Sequence, residues 1–118
     1  MNALELTAAA RRLIDTPDPA TRHVWPVAAT HLTRQALEAA LDRLWRLKKV
    51  PELAEGPMRE QLVCLPFYLA KPELCARVAW TWTALSAAGH DRGLTAAPTA
   101  GDLHGWITVV DQLAREVG

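Results

Sequence analysis

The residues best suited to chemistry in this chain cluster around position 90. Ser86 and His90 are four residues apart, so they share one face of a helix, and Asp91 and Arg92 follow at once. A histidine can move protons while a guanidinium neutralises an oxyanion, a combination that suits phosphodiester cleavage. The alternative is structural, because His90 and Asp91 could satisfy the open backbone groups at a helix end. Catalysis by His90, Arg92, Asp91 and Ser86 is therefore one hypothesis for this segment.

The tryptophans are a second group of candidate functional residues. Five tryptophans give more large aromatic surface than one small core normally requires. Trp45, Trp80 or Trp106, if exposed, would suit a subunit interface, where aromatic residues are enriched. Trp82 and Trp106 could instead line a small-ligand pocket between the second, fourth and fifth predicted helices. The remaining interpretation is that all five lie in the core.

Other kinds of site lack their sequence signatures. The chain has neither GxGxxG nor GxxxxGK[ST] for nucleotide phosphates, and its single serine, Ser86, has no GxSxG elbow around it. The four histidines do not have the spacing that one shared metal ion requires: His23, His31, His90 and His104. We therefore predict no metal site and no cofactor.

Composition predicts one small, soluble domain spanning residues 1–118. The chain has 118 residues, half of them hydrophobic, with 13 basic and 13 acidic side chains, a balance that argues against a general polyanion binder. It has no secretory signal pattern and no apolar run near the roughly 18 residues of a membrane span. Cys64 and Cys75 form no CxxC pair and are expected to be free thiols. We expect a cytoplasmic protein without membrane contact.

The candidate residues must be positioned by helices. Apolar side chains recur with a period of 3.6 residues and no segment shows sustained two-residue alternation, so we predict five helices. The predicted helices cover 3–15, 21 or 25 to 49, 57 or 58 to 65, 72–88, and 99 or 102 to 117, with a connector over 50–57. The pattern predicts an all-α fold, a compact antiparallel bundle of four to five helices.

Capping residues and helix breakers predict where these helices begin and end. Asn2 with Glu5 forms a capping-box arrangement before the first helix. Pro66 should stop or kink the third helix, because proline lacks the backbone donor. Gly89 should end the fourth helix in left-handed geometry, and Thr99 or Asp102 should cap the fifth.

The segment 82–90, WTALSAAGH, resembles an aromatic-x-x-Leu-Ser-x-x-x-His stretch found late in some HEPN-like helical proteins. The segment 25–45, WPVAATHLTRQALEAALDRLW, looks like an earlier helix of theirs, and the resemblance covers roughly residues 22 to 117. It implies a bundle of four or five helices that dimerises through the signature helix. Many HEPN proteins are metal-independent ribonucleases of toxin–antitoxin and phage-defence systems, and others bind RNA, nucleotides or protein partners.

The sequence departs from the catalytic members of that family. They carry an arginine four to six residues before the histidine, whereas here Arg77 is the nearest arginine before His90 and Arg92 follows it. The predicted function is therefore a non-catalytic, dimeric interaction module in a bacterial toxin–antitoxin or phage-defence system, with itself or another protein as partner. The alternatives are a metal-independent endoribonuclease using His90 and Arg92, and a helical domain that binds a small ligand or nucleotide.

Overall fold

The computed structural model describes residues 1–16, 18–90 and 97–118, and for His90 it describes the backbone alone. Within these residues the chain forms five α-helices and no β-strand, which confirms the predicted all-α bundle. The helices are α1 (Ala3–Asp15), α2 (Trp25–Leu47), α3 (Met58–Tyr68), α4 (Pro72–His90) and α5 (Ala100–Val117). A 3-10 turn over Pro51–Glu55 lies within the predicted connector.

Two helices begin at capping boxes, of which the sequence predicts the first, while for the second it leaves Thr99 and Asp102 as alternative caps. The Asn2 side chain accepts a hydrogen bond from the Glu5 backbone N–H at 2.8 Å, and the Glu5 carboxylate accepts one from the Asn2 N–H at 3.1 Å. Thr99 caps α5 in the same way, and Asp102 completes the box with both distances at 3.0 Å. These bonds satisfy backbone donors that have no partner inside the first turn of a helix.

The predicted stop at Gly89 is wrong, and of the stop or kink predicted at Pro66 the stop is wrong while the kink stays a prediction. α3 continues through Pro66 to Tyr68, and α4 passes through Gly89 without a positive φ and reaches His90. An interior proline costs about 3 kcal/mol of helix stability. In α3 this cost is offset by packing, because Leu65 is fully buried and Tyr68 packs against the core on either side of the exposed Pro66.

The end of α2 is set by a backbone turn that composition does not indicate. Lys49 adopts a φ of 64°, in the left-handed region that few non-glycine residues occupy. The helix therefore stops at Leu47, two residues before the predicted end, and the chain enters the 3-10 turn.

α2 is the central element of the bundle, in contact with α1, α4, α5 and the 3-10 turn. One hydrophobic cluster fills the space between these helices. Its largest fully buried members come from four helices: Leu37, Leu41, Trp45, Leu65, Leu85, Leu103, Ile107 and Leu113. No helix in the described parts of the chain is long and apolar enough to cross a bilayer.

Thr81 provides a stability prediction within this core. It is fully buried in α4, and its hydroxyl has no hydrogen-bond partner among the described residues. Because an unsatisfied buried hydroxyl costs about 1–3 kcal/mol, Thr81→Val is expected to raise the free energy of unfolding by about 1 kcal/mol. Urea unfolding followed by circular dichroism measures this change.

Thr33 supplies the matched control for that substitution. It is also fully buried within a helix, but its hydroxyl donates to the Ala29 carbonyl at 2.7 Å. Thr33→Val is therefore expected to lower the free energy of unfolding by about 1 kcal/mol. Equal losses in the two variants would contradict the assignment of Thr81 as unsatisfied.

Candidate protein-interaction surface

The outer face of α4, which we define as Ala76, Trp80, Thr83 and Ala87, is an exposed, uncharged surface with a tryptophan near its centre. These four side chains are exposed and recur at helical spacing on one side of the helix. The opposite side of α4 carries buried core residues: Leu74, Val78, Thr81 and Leu85. α4 has no charged residue between Arg77 and His90, so it is uncharged on both sides over these turns. Helices that are apolar all round are usually buried all round.

Trp80 lies in the middle of the outer face and is 66% exposed. Its neighbours on the face are small, so the indole projects above a low surface of alanine and threonine. The Thr83 hydroxyl donates to the Ala79 carbonyl at 3.1 Å, so its polar group is satisfied within the helix. A partner could therefore cover this face without leaving a polar group unpaired.

Two other tryptophans named for an interface on the condition that they are exposed lie in the core, so they do not meet that condition. Trp45 is fully buried, its Nε1 donates to Gln61 Oε1 at 2.8 Å, and its ring meets Tyr68 edge-on at 5.5 Å. Trp106 is 9% exposed and belongs to the hydrophobic cluster. Both rings are enclosed because they lie on the sides of α2 and α5 that face other helices, so neither is available to a partner.

Trp82 is half-buried and connects α4 to α2. The guanidinium of Arg34 lies 4.6 Å above the ring centroid, within the range of a cation–π interaction. One face of the indole is thus already covered by this chain, while Trp106 is buried in the core. The predicted ligand pocket between these two rings stays a prediction.

The segment around position 90 is described only in part. α4 is helical through His90, so positions 86 and 90 share a face, and Ser86 is half-buried. The His90 side chain, Asp91 and Arg92 lie outside the described residues, and the catalytic hypothesis stays a prediction.

Arg34, on α2, lies near the C-terminal end of α4. The sequence did not indicate this contact. Arg34 Nη1 lies 3.8 Å from where a Cβ on Gly89 would stand. No sequence pattern could have placed it there, because α2 and α4 meet through tertiary packing.

A buried polar group in α5 was also missed from the sequence. Asp111 is 5% exposed, accepts a hydrogen bond from the Thr7 hydroxyl at 2.6 Å and pairs with Arg11 Nη1 at 2.6 Å. Thr7 and Arg11 are one turn apart on α1, so a single carboxylate joins α1 to α5. A second pair, His104 with Asp15 at 2.9 Å, joins the same helices near the surface.

The cysteines and metal-ligating side chains do not form a reactive site in the described part of the chain. Cys64 and Cys75 are free thiols. Burial raises the pKa of the Cys75 thiol, so it is protonated at neutral pH and a poor nucleophile. No three histidine, cysteine or carboxylate side chains of the described residues converge to hold a metal ion.

Comparison with known proteins identified no relative. No family model, no curated protein and no solved structure matches the chain.

Proposed function

We propose that this protein is a non-catalytic helical interaction module that forms a homodimer through the outer face of α4. The observation that carries the proposal is the 66% exposure of Trp80 at the centre of an uncharged helix face. Exposed tryptophan is rare on a surface that meets only water, and tryptophan is the residue most enriched at energetic hot spots of interfaces.

The energetics favour burial of this face. A tryptophan buries about 150–250 Å² when fully covered, and apolar burial contributes about 25 cal/mol per Å². In a two-fold dimer each contact occurs twice, so two Trp80 side chains contribute together. Association costs at least about 4 kcal/mol of rotational and translational freedom, which the remaining outer-face contacts help to offset.

The biological setting forms part of the same proposal and is supported by the HEPN resemblance. The segment 82–90 that carries the resemblance lies on α4, and the family dimerises through the corresponding helix. The arginine–histidine spacing of the ribonucleases is missing, which supports binding over cleavage. We therefore place the module in a bacterial toxin–antitoxin or phage-defence system. A reducing cytoplasm, where thiols such as Cys64 and Cys75 stay unpaired, is the proposed compartment.

The substitution Trp80→Glu tests the proposal. It places two charges in the centre of the dimer interface, and hot-spot residues contribute 2 kcal/mol or more each, so dimer affinity is expected to fall by at least about 100-fold. Size exclusion with light scattering should show a dimer for the original chain and a monomer for the variant. Circular dichroism should be unchanged, because Trp80 is 66% exposed and lies on the side of α4 opposite its buried residues.

Phe67 supplies a matched control for this experiment. It is an aromatic side chain 84% exposed on α3, outside the outer face of α4. Phe67→Glu is expected to leave the dimer intact. A monomeric original chain, or a dimer that Phe67→Glu dissociates and Trp80→Glu does not, would overturn the proposal.

A further inference from the structure

We infer that Arg34 is a positioning residue, which keeps the last turn of α4 helical and thereby fixes the backbone of His90. Arg34 lies on α2, and the residues through which it acts, Trp82 and Gly89, lie on α4. All these contacts are within one chain, so they do not depend on the dimer proposed above. The turn that they hold includes positions 86 and 90, whose residue types are among the best suited to chemistry in this chain.

The last turn of α4 is weak by its own sequence. The final four carbonyl groups of a helix have no partner inside it, and glycine is a poor helix former because it loses the most backbone freedom. Gly89 is nevertheless helical without a positive φ, and the helix continues to His90. Local preference does not account for this turn, so a contact from elsewhere in the fold contributes to it.

Arg34 provides such a contact. Its Nη1 lies 3.8 Å from where a Cβ on Gly89 would stand, so the guanidinium is beside the last turn of α4. A helix C-terminus carries a partial negative charge, and a cation there stabilises the helix and can donate to its last carbonyls. The charge of Arg34 therefore has the sign that this end of α4 favours.

Trp82 holds the guanidinium at this position. Trp82 and Gly89 are seven residues apart, so they lie on the same side of α4. Arg34 Cζ lies 4.6 Å from the ring centroid, and the Arg34 side chain is only 30% exposed, so water screens this cation–π interaction in part. The ion pair with Glu38 is 3.8 Å long, beyond the reach of a charged hydrogen bond, so it does not direct Arg34 toward α4.

Amide hydrogen exchange tests this role, because it measures the opening of each part of a helix separately. A cation–π contact and a cation at a helix C-terminus each correspond to about a two- to fivefold change in an equilibrium. Arg34→Ala is therefore expected to speed exchange at residues 86–90 by about tenfold. Exchange at residues 78–85, in the preceding turns, should change much less.

Three further variants separate charge from packing. Arg34→Lys keeps the cation, so its exchange at 86–90 should stay within about threefold of the original chain. Arg34→Met keeps only an apolar stem over the Trp82 ring and should exchange like Arg34→Ala. Adding Gly89→Ala to Arg34→Ala should slow exchange at 86–90 by about fivefold, because alanine is the strongest helix former.

Arg46→Ala is the matched control. Arg46 also lies on α2 and pairs with a carboxylate four residues away, that of Asp42 at 3.0 Å, so its removal tests the loss of an intrahelical ion pair alone. It should leave exchange at 86–90 unchanged. Three results would each overturn the positioning role of Arg34: unchanged exchange in Arg34→Ala, a rise of the same size at 78–85, or an Arg34→Met variant that behaves like Arg34→Lys.

Discussion

Replacing Trp45 with alanine is expected to lower the free energy of unfolding by about 4 kcal/mol, the middle of the range for large aromatic truncations in cores. The side chain is fully buried, and its removal leaves a cavity between α2 and Tyr68. It also removes the 2.8 Å hydrogen bond to Gln61 Oε1, leaving a buried acceptor without its partner. Gln61 still donates to the Gly56 carbonyl at 3.0 Å, so its link to the turn before α3 remains.

Urea unfolding followed by circular dichroism at one fixed protein concentration measures this effect, because the proposed dimer would make the free energy of unfolding depend on concentration. Trp45→Phe should lower the free energy of unfolding less than Trp45→Ala does, because it keeps most of the aromatic volume and removes only the indole donor. Leu47→Ala is the control on the same helix, because Leu47 is 52% exposed and its loss should be small. Similar losses for Trp45→Ala and Leu47→Ala would contradict the position of Trp45 in the core.

Asp111→Ala is expected to destabilise the fold by about 2–3 kcal/mol, through the loss of a buried, charged hydrogen-bond acceptor. The substitution removes two links from α5 to α1, the bond from Thr7 and the ion pair with Arg11, and leaves the pair of His104 with Asp15 in place. Arg11 is 38% exposed and can turn to water, which keeps the loss below that of a fully buried broken pair.

Glu116→Ala provides the comparison for Asp111. Glu116 also lies on α5 and pairs with Lys71 at 2.8 Å, but both side chains are at least 36% exposed. A surface ion pair contributes about 1 kcal/mol or less, so the free energy of unfolding of this variant should be close to that of the original chain. If the two variants lost the same free energy, burial of Asp111 would not be the source of its contribution.

The helix ends show how far local rules reach. α1 begins after Asn2 as the sequence predicts, and α5 begins after Thr99, one of the two caps that the sequence offers, since a capping box involves only residues three apart. Pro66 and Gly89 fail as stops because the helices around them are held by distant contacts. Leu65 and Tyr68 keep α3 helical past its proline through packing on residues far away in the chain.

The candidate surface was predictable only in part. The sequence indicates that a tryptophan lies on the surface, because five tryptophans exceed what a small core needs. Trp80 is one of the candidates that it offers. Which tryptophan is exposed could not be predicted, because every helix has an apolar stripe. A helical wheel does not show how many neighbouring helices cover that stripe. Trp45 and Trp80 differ in that α2 is surrounded by other helices, whereas α4 has one side uncovered.

The amino-acid sequence alone determined that this chain is helical and where α1 begins, and it narrowed the start of α5 to Thr99 or Asp102, because these properties follow from contacts within a turn or two of the backbone. Only the tertiary structure decided that Trp45 lies inside and Trp80 outside, that Asp111 is buried between Thr7 and Arg11, and that Arg34 covers Trp82. These positions depend on which helix faces are in contact. The contacts between faces are set by the packing of all five helices together.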